Sequence, residues 1–182
     1  MPLGFQSMSA EQDSFTLVAK NLGWFMYQCV GAELIYLNED TMTEASFDAY
    51  LALVDSRLRK LALGTYPRRG VLVEVVSGRP FMNASRRQKL ANALSGNLER
   101  FAQVIVGVAL VTESAFARGV MTALSWLAPH QAPMRSFRTT QSGLEWLSTM
   151  GSNLDIVQVD ACWALAKIRH GYGRPSRLPS AL

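Results

Sequence analysis

Cysteine is scarce in this chain. Its 182 residues carry two, Cys29 and Cys162. They form no CxxC pair, and neither stands at metal-ligand spacing from a histidine. That excludes a disulfide framework and fits a reducing cytosol. Lysine is scarce as well: only Lys20, Lys60, Lys89 and Lys167 occur among 18 basic residues. Against 14 acidic residues the formal net charge is +4, too weak a balance to signal nucleic acid. No apolar run approaches the roughly 20 residues that a membrane helix needs. Met1–Ser7 lacks the basic-then-apolar order of a signal peptide. The signatures GxSxG, P-loop, HExxH and the glycine-rich dinucleotide fingerprint are all missing. His130 and His170 have neither a nucleophile nor a carboxylate beside them in the sequence. The expectation is a cytoplasmic protein that is not an enzyme, with no catalytic residue, metal or cofactor. It contacts no nucleic acid and has no integral membrane association.

Hydrophobic residues make up 49% of the chain and charged residues 18%, enough for one domain with a real core. Ser14–Lys20 and Trp24–Val30 read as strands joined by Asn21-Leu22-Gly23, a turn whose residues tolerate positive φ. Leu34–Leu37 extends them as another short strand. Thr41 and Glu44 fit a capping box. After it, Phe47, Leu51, Val54, Leu58 and Leu61 line one face of a helix ending near Gly64. Val71–Val76 is a β-branched run interrupted by Glu74. A helix over 84–101 buries Leu90, Leu94, Leu98 and Phe101. Ala102–Val111 reads as a strand covered on both faces. A helix over Ala115–Leu127 stops at Pro129, and Met134–Arg138 is a short strand. Ser142 and Glu145 form a second capping box before a short helix through Met150. Asn153 caps a last helix, Leu154–His170, with Leu154, Val157, Ala161, Leu165 and Ile168 on its buried face.

Strands alternating with helices imply crossovers and a largely parallel central sheet. The N-terminal hairpin adds an antiparallel edge, so the fold class is α/β with a mixed sheet flanked by helices. We divide the chain into a disordered N-terminus or cloning remnant (1–13), the main domain (14–150), an additional C-terminal helix (151–170) and a flexible tail (171–182).

The junction after Val76 carries most of the local chemistry. Phe81-Met82-Asn83-Ala84-Ser85-Arg86 opens a helix directly after an apolar strand. With the element order, it resembles the STAS superfamily and the related SpoIIAA-like domains of anti-sigma-factor antagonists. Many antagonists carry Phe-Met-Asp-Ser-Ser-Gly there. The resemblance places Ser85 at the family's phosphorylated serine and Asn83 at its aspartate. Ala84 and Arg86 depart from the family's serine and glycine. It implies a bacterial signalling or regulatory module without catalytic activity, whose partner is a kinase-like or regulatory protein.

Arg79, Asn83, Arg86, Arg87 and Lys89 surround Ser85 in sequence and are candidate partner- or anion-binding residues. A phosphate on Ser85 would sit at a helix N-terminus among them. The plainer alternative is that Asn83 or Ser85 caps the helix and the basic groups are solvated. Phe116, Met121 and Trp126 make the Ala115–Leu127 helix apolar around much of its girth, and Trp163 lies away from the last helix's main stripe. These four are candidate hydrophobic interface residues, for a partner or a homodimer. Two other functions stay open: a small-ligand or lipid carrier, since STAS-like folds resemble the lipid-transfer CRAL-TRIO fold, and a structural homo-oligomer.

Overall fold

The computed structural model describes residues 15–63, 68–76, 83–96, 98–115, 118 and 132–172. Six strands form one sheet in sequential order: β1 (Thr16–Asn21), β2 (Trp24–Cys29), β3 (Ala32–Asn38), β4 (Arg69–Val76), β5 (Ile105–Val111) and β6 (Met134–Phe137). β1, β2 and β3 pair antiparallel, and β3 through β6 pair parallel. This is the expected mixed α/β architecture. Five helices are described: α1 (Glu44–Leu63), α2 (Ala84–Ser95), α3 (Leu98–Val104), α4 (Thr140–Thr149) and α5 (Ile156–Arg169).

Side chains alternate across the sheet, because successive residues of a strand point to opposite faces. Met26, Ile35, Leu37, Val71, Val75, Val108 and Leu110 belong to a core shared with Phe47, Leu58 and Leu61 of α1 and Phe101 and Val104 of α3. Phe25, Tyr27, Leu34, Tyr36, Leu72, Ala109 and Val111 belong to a second core with α4 and α5. The sheet is thus covered on both faces, which is why β2, β3 and β5 are almost continuously apolar.

Several boundaries move from the sequence expectation. Thr43, not Thr41, caps α1, since its hydroxyl accepts from Ser46 N–H at 3.1 Å. The helix expected over 84–101 is two helices, the first closing at Gly96. Ala102–Val104 complete α3 instead of opening β5, so Phe101 and Val104 reach the core from a helix. Thr139 caps α4 and Asp155 caps α5, ahead of Ser142 and after Asn153 respectively. The helix expected over Ala115–Leu127 lies almost wholly outside the described residues.

The largest correction concerns α5. Of its expected buried face, only Leu154 packs partly buried against the core; Ala161 is exposed and Val157, Leu165 and Ile168 are 82%, 66% and 47% exposed, while Val159, Trp163 and Ala166 are buried. Trp163 is the anchor rather than an exposed interface residue. Its ring packs 5.3 Å from Phe25 and its indole N–H has a carboxylate to reach, so burying it gains more than burying the branched aliphatics.

Candidate functional site

Two helix N-termini meet at the carboxyl ends of β3 and β4. Each leaves backbone N–H groups without intrahelical partners and carries partial positive charge. α1 opens with Glu44, which suits that field. α2 carries Arg86 in its first turn, which by itself opposes it. The structure pairs the two: Arg86 Nε donates to Glu44 Oε1 at 2.8 Å. Arg86 also donates to the Met42 carbonyl at 2.7 Å and lies over the Phe47 ring at 5.5 Å. Lys89, one turn on, reaches Asp48 at 2.6 Å and Glu44 at 3.4 Å. Arg86, through its hydrogen bond and its charge, and then Lys89 hold the Glu44 carboxyl below its ordinary range. The Asp48 hydrogen bond chiefly holds the Lys89 ammonium above its own.

The sequence candidates therefore divide. Asn83 is the helix cap, its side chain accepting from Arg86 N–H at 2.8 Å. Arg86 is buried and strapped to α1, and Lys89 is strapped there too. Ser85 and Arg87 are exposed in the first turn of α2. Arg79 lies outside the described residues, as do Phe116, Met121 and Trp126. Sequence reading missed Glu44 and Asp48 as partners. The available signal was complementary charge in the opening turns of two neighbouring helices.

The opposite face holds a second polar cluster. Glu74 Oε2 accepts from the Trp163 indole at 2.7 Å and the Thr140 hydroxyl at 3.1 Å. Lys167 Nζ donates to Glu74 Oε1 at 2.9 Å. Both carboxylate oxygens are thus satisfied, and the group ties α4 and α5 to β4. At the end of α5, Gly171 (φ 78°) donates to Ile168 at 3.0 Å and Tyr172 donates to Lys167 at 2.7 Å. This Schellman closure folds Tyr172 back to 4.8 Å from Tyr36. His170 lies 4.4 Å from Phe25 and shares a 3.2 Å hydrogen bond with Tyr27. Partial burial, then Lys20 and Arg169, lower its pKa and favour the neutral ring. Burial and Glu74 push the Tyr36 phenol up.

Two cavities flank the sheet. One, of about 240 Å³, lies between β2 and α5 and is lined by both cysteines, with Phe15, Asn153 and Gln158. Burial pushes the Cys29 thiol up to about 11, so it is a poor nucleophile. The other, of about 120 Å³, lies beneath α1–α3 among Met26, Ile35, Leu58, Val73, Leu94 and Val108. The paired Glu33 and Arg57 edge it. Among the described residues no three His, Cys, Asp or Glu could hold a metal. No described helix is long and apolar enough to cross a membrane.

The fold and these sites define an open, six-stranded mixed α/β domain with two separately capped faces. No protein-family model matches the chain, and no curated protein matches it. Among solved structures it is similar to an uncharacterised protein of the DUF3478 family, with a SpoIIAA-like fold, from Shewanella loihica PV-4. The two are 12% identical; the match covers 74% of this chain and 92% of the other, with a TM-score of 0.43.

Proposed function

We propose that this protein is a non-enzymatic interaction module of bacterial regulation that docks a protein partner through the N-terminal end of α2. The observation that carries the reading is the exposed Ser85 hydroxyl at that helix end. It stands beside Arg86 and Lys89, which Glu44 and Asp48 hold in fixed positions. A phosphate there adds about −1.5 to −2 charge and competes with Glu44 and Asp48 for those cations. The same modification would thus alter the docking end and loosen the α1–α2 strap. The hydrogen-bond closure of Glu74 supports a role without catalysis, since its oxygens already serve Trp163, Thr140 and Lys167.

Native mass spectrometry of the protein isolated from its own host is the test. The expected result is a bound protein, or one phosphate mapped to Ser85. Ser85→Asp should then change affinity for the captured partner by at least about tenfold, or 1.4 kcal/mol. Equal binding by wild type, Ser85→Asp and Ser85→Ala overturns the reading.

A second reading is favoured by the apolar cavity beneath α1–α3, which suits a carrier of a small apolar molecule. Apolar cavities of about 150 Å³ stay dry and admit benzene-sized ligands. A co-isolated apolar molecule in the same spectrum is its signature.

A further inference from the structure

We propose that the exposed face of α5 is a self-association surface that pairs antiparallel with the same face of a second copy of this chain. Val157, Ala161, Ala164 and Ile168 recur at spacings of four, three and four residues. That is the spacing of a coiled-coil seam. All four are exposed, and Leu165 widens the apolar surface on one side. The helix's other face is committed to the sheet through Val159, Trp163 and Ala166. The seam is therefore directed outward by the same contacts that fix the helix.

Charge selects the occupant and its direction. The carboxylates Asp155 and Asp160 lie at the start and in the first half of α5, and the exposed cation Arg169 lies in its last turn, where Lys167 is held by Glu74. A parallel copy would set like charges level with each other. An antiparallel copy sets Asp155 and Asp160 beside the partner's basic end and also opposes the helix dipoles. The seam is symmetric about its middle, so the antiparallel register places Val157 opposite Ile168 and Ala161 opposite Ala164. Alanines at the centre let the backbones approach closely, with the larger Val and Ile at the ends. Fourteen residues span about 21 Å, so one helix pair makes a small interface. A stable interface buries about 1,200–2,000 Å² in all, and we expect a weak, concentration-dependent dimer.

Sedimentation velocity of the full chain across a concentration series tests this. The expected result is a shift from the 20.1 kDa monomer toward twice that mass at tens of micromolar. Ala161→Glu and Ile168→Glu should each raise the dissociation constant at least tenfold while circular dichroism stays unchanged, as both positions are exposed. Direction is read by oxidation in a Cys162→Ser background. A mixture of Val157→Cys and Ile168→Cys proteins should cross-link, and Val157→Cys alone should not, because its two copies stand about 16 Å apart along the pair. A monomer at every concentration overturns the proposal. So does a dimer indifferent to both Glu variants, or cross-linking by Val157→Cys alone. Loss of the dimer leaves the Ser85 reading standing, since α2 lies on the other face of the sheet.

Discussion

Glu74 is the residue that reads most oddly in the sequence, a carboxylate between valines in an apolar strand. The structure makes it the tie point of the C-terminal helix. Removing it would leave the Trp163 indole and the Lys167 ammonium without their partner in a largely covered place. We expect Glu74→Ala to lower stability by about 3 kcal/mol and Glu74→Gln by about 1 kcal/mol, since the amide oxygen can still accept from Trp163. Urea midpoints of the two variants check the order, and equal losses would show that hydrogen bonding, not charge, is the smaller part. The oddness of Glu74 is visible from its strand alone. Its partners are not, because Trp163 and Lys167 lie 89 and 93 residues downstream. Arg86 shows the same limit. Basic charge in the first turn of α2 is plain in the sequence, while its burial against Glu44 depends on how α1 and α2 pack.

At the scale of elements, periodicity located α1, which buries one clear set of apolar residues, and continuous apolar runs located the central strands, which are covered on both faces. Periodicity misled at α5, where two apolar stripes compete. Val157, Leu165 and Ile168 make the longer aliphatic stripe, but Val159, Trp163 and Ala166 fit the aromatic surface of β2 and β3. A hydropathy pattern counts apolar residues and does not weigh an indole that has a carboxylate to reach. The turn between β2 and β3 shows how the start of α5 is placed. Gly31 has φ +79°, and a Cβ there would lie 2.6 Å from the Asn153 carbonyl oxygen. Gly171 has nearly the same φ, +78°, with nothing within 4 Å. Gly171→Ala therefore carries only the left-handed backbone strain, about 1–2 kcal/mol. Gly31→Ala adds a clash with backbone that cannot rotate away, and should cost about 3–4 kcal/mol. Thermal unfolding of both variants compares them directly. Equal losses would mean that the 150–155 segment yields easily and does not fix α5.

The whole molecule is a sheet with two differently used sides. One side carries α1, α2 and α3, the exposed Ser85 and the apolar cavity. The other carries α4 and α5, the Glu74 tie and the outward seam. The cavity is where the two functional readings part, and Val108 faces it from β5. Val108→Ile adds one methylene to a space of about 120 Å³. In an unoccupied cavity that group gains burial and contacts without displacing anything, and stability should rise by about 0.5–1 kcal/mol. In a carrier the same methylene takes volume from the ligand. Protein isolated from its host would then carry less bound apolar molecule and melt at or below the wild-type temperature. The two outcomes have opposite signs in one melting experiment, whatever the ligand is. Leu94→Ala gives the complementary change, enlarging the space at a cost of about 1–2 kcal/mol, below the range for a fully buried leucine because Leu94 is half-buried. A carrier should regain part of that loss when its ligand is added back, whereas an interaction module should not.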